Sequence, residues 1–115
     1  MALTGAYTVN CDIDTLSQEL FAMLWENFGG AVFPVVLVDQ TCFSEGECRY
    51  QTDTYQIYST MERGYLTINV HFFQARPDSP LSVKAAIFPP MHDVTRKARK
   101  ILDAMEAVIL GHSAS

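Results

Sequence analysis

Two β-rich runs decide how this chain folds: RYQTDTYQIYST at residues 49–60 and YLTINVHFFQA at residues 65–75, joined by Met61-Glu62-Arg63-Gly64. Each alternates apolar and polar residues with the two-residue period of a strand, and the short polar joint makes them a hairpin. Pairing Thr60 with Tyr65 sets a register. Ser59, Ile57, Tyr55 and Asp53 then share a face with Leu66, Ile68, Val70 and Phe72. The opposite face carries Tyr58, Gln56, Thr54 and Thr52 beside Thr67, Asn69, His71 and Phe73. Both strands put their apolar residues on the same side, as one buried face requires.

Working outward, Ser82 to Phe88 continues the pattern. Val83, Ala85 and Ile87 extend the apolar face, and Lys84, Ala86 and Phe88 join the other. Pro77 to Pro80 is a turn composition and Pro89-Pro90 ends the strand. Upstream, Val35 to Val38 lies in an apolar run over residues 31–39, read as a strand buried on both faces. Pro34 places the strand's start near itself, or marks a bulge or an edge. Residues 41–47, with Gly46, read as a polar loop. Gly5 to Ile13 alternates as a first strand.

Two helices complete the pattern. The first begins at Asp14 or Thr15, where Thr15 and Gln18 match a capping box. It runs to about Phe28, with Gly29-Gly30 as a left-handed stop. Leu16, Leu20, Met23 and Leu24 form its core stripe. Phe21, Trp25 and Phe28 widen the apolar arc to roughly 200°, more than a one-sided helix needs. Those three are candidate interface residues, to be covered by this chain or by a second copy. The last helix spans about 93–110, with Asp93 as cap, Val94, Ala98, Ile101, Leu102, Met105, Val108 and Ile109 as its stripe, and Gly111 as stop. Pairs at i,i+4 are Asp93 with Lys97 and Arg99 with Asp103.

The order β-α-β-β-β-β-α implies an α+β domain with a mostly antiparallel sheet of about five strands and two amphipathic helices on its apolar face. A right-handed crossover through the first helix would set strand one parallel to a neighbour. The chain has 115 residues, enough for one domain with a self-sufficient core. Residues 112–115 read as a flexible tail. This element order is similar to that of helix-grip folds and of some phage tail-assembly subunits. The likeness is one of topology, without a shared residue pattern, and fold alone does not give function.

Composition narrows the function classes. Thirteen acidic and eight basic residues give a net charge of −5. The short run Arg96, Lys97, Arg99 and Lys100 on an acidic body reads as a solvated helix face and makes a poor case for nucleic acid. No apolar run is long enough to span a membrane, and residues 1–10 do not read as a secretory signal. Three cysteines, an odd count, argue against a disulfide framework, so the cytoplasm is the expected location and Cys11, Cys42 and Cys48 are expected as free thiols. Cys42 and Cys48 are spaced too widely for a zinc or redox pair. No phosphate loop, metalloprotease or hydrolase motif occurs. No cofactor, metal site or catalytic residue is assigned.

Candidate ligand-binding residues lie on the second sheet face: Tyr58, Asn69, His71, Phe73 and Phe88. An imidazole there serves as base, ligand or donor, and aromatic residues among Thr, Gln and Asn suit a pocket or an interface. Asp53, a carboxylate on the apolar face, reads as the fraying end of the sheet. The alternative for it is a buried carboxylate with a shifted pKa. The leading expectation is a non-catalytic homo-oligomeric binding or assembly module. The alternatives are a small-molecule-binding protein or enzyme using the His71 face, and a structural subunit of a larger, phage-like assembly.

Overall fold

A computed structural model describes residues 2–29, 34–59, 64–89 and 96–112. It has β1 (Leu3–Val9), α1 (Ile13–Phe28), β2 (Val35–Glu45), β3 (Cys48–Ser59), β4 (Gly64–Gln74), β5 (Leu81–Phe88) and α2 (Arg96–Leu110). The strands form one antiparallel sheet in the order β1-β5-β4-β3-β2. This is the α+β architecture and element order that the alternation implies.

The inner face of the sheet is the core. Tyr55, Ile57, Leu66, Ile68, Val70, Phe72, Val83, Ala85 and Ile87 are buried there against Leu16, Leu20 and Leu24 of α1 and Ile101, Met105 and Ile109 of α2. Burying each Leu or Ile side chain contributes about 1.5–3 kcal/mol. Both helices lie on this face. Ser17 of α1 reaches Asp53 of β3, and the Tyr7 hydroxyl of β1 donates to Glu106 of α2 at 2.9 Å.

Several local expectations are corrected. The hairpin pairs Ile57 with Leu66 and Tyr58 with Tyr65, two residues from the expected register. A shift of two keeps every side chain on its face, so the faces stand while the partners change. The joint at residues 60–63 lies outside the described residues. β1 ends at Val9, Ile13 opens α1, and β1 runs antiparallel to β5 rather than parallel to a neighbour. α1 therefore carries the chain from one edge of the sheet to the other.

β2 differs most. It continues through the expected loop to Glu45 and turns at Gly46, whose φ of 61° suits glycine, into β3. It is an edge strand, and only Val35 is buried. A register shift between Leu37 and Asp39 marks a bulge at Val38. An apolar run reads alike in a central strand and in an uncovered edge, because composition does not report neighbours.

The first helix is capped by Asp12, not by Asp14 or Thr15. Its carboxylate accepts the Thr15 N–H at 3.2 Å, and the Thr15 hydrogen bonds hold its pKa below the ordinary value. That stabilisation is present above the ordinary aspartate range and is lost as pH falls through the lowered value. Asp12→Ala is expected to cost about 1 kcal/mol, seen as a lower urea midpoint at unchanged slope. Gly29 is extended rather than left-handed. A Cβ there would lie 2.7 Å from the Trp25 carbonyl oxygen, which accounts for glycine. Arg99 and Asp103 do not meet as an ion pair. Asp93 and Val94 lie outside the described residues.

Tyr7 folds back over Gly5 to reach Glu106. Burial, the hydrogen bond to Glu106 and the charges of Glu106 and Asp103 push its pKa up to about 12. The unfolded chain ionises first, near pH 10. Stability from this group is therefore complete below about pH 10 and falls as pH rises toward 12. Tyr7→Phe is expected to flatten that alkaline loss in denaturation curves taken across the window.

Candidate interaction surfaces

The outer face of the sheet is organised in rows that cross all five strands. Phe43, Tyr50, Phe73, Ser82 and Thr8 make one row, and Thr41, Thr52, His71, Lys84 and Ala6 the next. Asp39, Thr54, Asn69, Ala86 and Thr4 follow. Among the described residues no element covers this face.

The candidate ligand residues are divided by these rows. Phe73, His71 and Asn69 are consecutive outward positions on β4 and come together. Phe88 lies one row further on, opposite Thr67. Tyr58 sits at the far end against Tyr65, their rings edge-on at 5.4 Å. At about 6.7 Å per pair of residues along a strand, Tyr58 is roughly 20 Å from His71. Tyr58 thus shares no pocket with His71.

His71 is exposed, and its Nδ1 lies 2.9 Å from the Thr52 hydroxyl. Thr54 Oγ1 donates to Asn69 Oδ1 at 3.0 Å. Lys84 stands directly across from His71. Beside them, Phe73 packs on Tyr50 at 4.9 Å and Tyr50 on Phe43 at 5.7 Å, a partly exposed aromatic row. Phe43 falls in residues 41–47, which read as a loop, so the partner that makes Tyr50 part of an aromatic row is hidden in the sequence. Gly46 between two alternating runs is the signal that reveals the second hairpin.

The second surface runs along α1 and β2. Phe21 stacks on Tyr55 at 5.9 Å and 18° between planes, and Leu37 lies opposite Tyr55 on the next strand. Trp25 follows Phe21 one helical turn later. Trp25 is 50% exposed and Phe21 39%, while Phe28 is half-buried against the chain's own core. Val36, Leu37 and Val38 are also open to solvent.

Asp53 is fully buried, not at a fraying end. Its carboxylate accepts from Ser17 Oγ at 2.5 Å, Gln40 Nε2 at 2.9 Å, Gln51 Nε2 at 3.0 Å and Tyr55 Oη at 3.4 Å. All four donors are neutral. The cluster joins α1, β2 and β3 beneath the edge strand. Burial, then the charge and hydrogen bond of Asp53, raises the Tyr55 pKa. The sequence signal was Gln51, Asp53 and Gln74 at inward positions of otherwise apolar strands, which marks a polar cluster or a sheet end equally.

The three cysteines are free thiols. Burial raises the Cys11 pKa, with the charges of Asp12 and Glu19 adding to it. Among the described residues no group of three or more His, Cys, Asp or Glu converges to hold a metal ion, and no helix is long and apolar enough to cross a membrane. Arg96, Arg99 and Lys100 project to solvent, while Lys97 Nζ donates to the Tyr58 carbonyl at 3.3 Å. No family model matches the chain, and no curated protein matches it.

Proposed function

We propose that this domain is a non-catalytic module that assembles with further copies of itself through the edge formed by α1 and β2. The observation that carries this reading is the set of exposed apolar side chains on α1 and at the start of the edge strand: Trp25, Phe21 and Leu37 on the helix side of the sheet, Val36 on its other face and Val38 at the bulge. A long apolar edge invites strand pairing unless charges, prolines or bulges blunt it. Val35 to Val38 carries no charge, and what blunts the edge lies at its limits: Pro34 before it, the bulge at Val38, and Asp39 after it.

The exposed parts of these five residues amount to roughly 400 Å² per copy. Two such patches meeting across a two-fold axis bury about 800 Å², below the usual minimum of a specific interface, so main-chain pairing of the two β2 edges supplies the rest. A two-fold axis uses the same patch on both copies, so one sequence feature supplies both halves. The imidazole of His71 has Thr52 and Lys84 as row neighbours, neither of them a carboxylate or thiol, which supports a non-catalytic reading.

Light scattering between about 1 and 100 µM tests this. The expected mass is at least twice the 12.9 kDa of one chain. Rings or fibres in electron micrographs would mark head-to-tail assembly, in which the β1 edge takes part, and keep the reading. A strict monomer at the highest concentration would overturn it.

A further inference from the structure

We propose a second site, independent of self-association: the His71–Lys84–Asn69 cluster on the outer sheet face binds a small organic carboxylate with an apolar body. Some polar atoms of this cluster are already satisfied. On the β3 side, the Thr54 hydroxyl occupies Asn69 Oδ1 and the Thr52 hydroxyl meets His71 Nδ1. What remains of Asn69 is its amide N–H pair, a donor. What remains of His71 is Nε2. When Thr52 donates to Nδ1 the ring proton sits on Nε2, and when the ring is protonated both nitrogens donate. An anion selects either state, and Thr52 accommodates both.

Lys84 adds an ammonium directly across from His71 and makes no hydrogen bond or ion pair among the described residues. The donors of His71 and Lys84 therefore stand side by side in one row, with the Asn69 amide in the next, on a chain whose net charge is −5. Charge-assisted donors of this kind recognise an oxyanion.

The space beside the donors gives the rest of the ligand. Ala86 stands across from Asn69, and Ala6 across from Lys84. Small side chains next to long ones leave a hollow of about 470 Å³ floored by Ala6, Ala86 and Gly5, with His71 and Lys84 at its rim. That size suits a small ligand. A flat hydrocarbon body resting on the alanine methyl groups puts its carboxylate at the rim. Inorganic phosphate lacks the part that the hollow accepts.

Amide chemical-shift titration of the full chain tests this with benzoate, benzyl alcohol and inorganic phosphate as probes. Benzoate is expected to shift Ala6, Lys84, Ala86 and His71 saturably, and to bind at least about tenfold tighter than either of the others. Lys84→Met is expected to weaken benzoate about tenfold while the remaining amide spectrum, the readout of folding, stays in place. Equal binding of benzyl alcohol, phosphate binding as tight as benzoate, an unchanged affinity in Lys84→Met, or no saturable shift overturns the proposal.

Discussion

Asp53→Ala is expected to destabilise the fold by about 3–5 kcal/mol, a large part of the 5–15 kcal/mol that holds a domain together. The carboxylate is wholly inside, and four donors from three elements end on it. Removing it leaves the Ser17 and Tyr55 hydroxyls without this acceptor in a dry place, while the Gln51 amide keeps Ser17 Oγ at 3.3 Å. Each buried orphan costs about 1–3 kcal/mol. Gln40 belongs to the exposed strand and turns to water, which limits the total. Asp53→Asn keeps one acceptor oxygen but turns an N–H₂ toward donors, so a smaller loss of about 1–2 kcal/mol is expected. Urea or guanidinium unfolding of the three proteins measures both. An alanine variant within about 1 kcal/mol of the parent would contradict the role given to the cluster.

Trp25→Glu and Val38→Lys are expected to weaken self-association at least 30-fold, about 2 kcal/mol, with little change in the stability of one copy. Both side chains are about half exposed on the isolated chain, at 50% and 47%. Substitutions at such positions usually move folding stability by less than about 0.5 kcal/mol. In an interface core, a buried Trp is the commonest anchor. Lysine on an edge strand is the device by which edges resist pairing. Sedimentation measures the association and circular dichroism confirms the fold. Arg99→Ala, on the solvent side of α2, serves as the control and should associate as the parent does. If both edge variants match it, α1 and β2 do not form the contact.

The sequence made some of this legible and hid the rest for physical reasons. Alternation assigned inner and outer faces from Tyr55 to Ile87 correctly, because burial on one side imposes a period of two. It did not fix the partner across the hairpin, since a two-residue slip leaves that period intact. The end of α1 at Phe28 and Gly29 is legible, but its N-cap lies two residues before Asp14, because Asp12, Asp14 and Thr15 all suit an N-cap and only geometry selects one. Val35 to Val38 reads as a buried strand because apolar runs are usually buried, and here the edge leaves Val36, Leu37 and Val38 open. On the outer face, His71, Asn69 and Phe73 were found as neighbours. Their separation from Tyr58, and the threonine bonds that leave donors facing outward, depend on distances that spacing along one strand does not contain.

The sheet order also sets a timetable for the chain as it is made. Four of the strands, β2 to β5, pair with the strand next in sequence, so each can form as soon as its neighbour is available. β1 is different: Leu3 pairs with Ile87. Closing so long a loop carries a larger entropic cost than any hairpin in the molecule. Of these five strands the first is thus expected to be the last to find its partner. Until β5 emerges, the inward residues of β1, Tyr7 and Val9, have no sheet to cover. A nascent chain is therefore expected to hold β1 unpaired until β5 is made, so that within this sheet order begins in the meander.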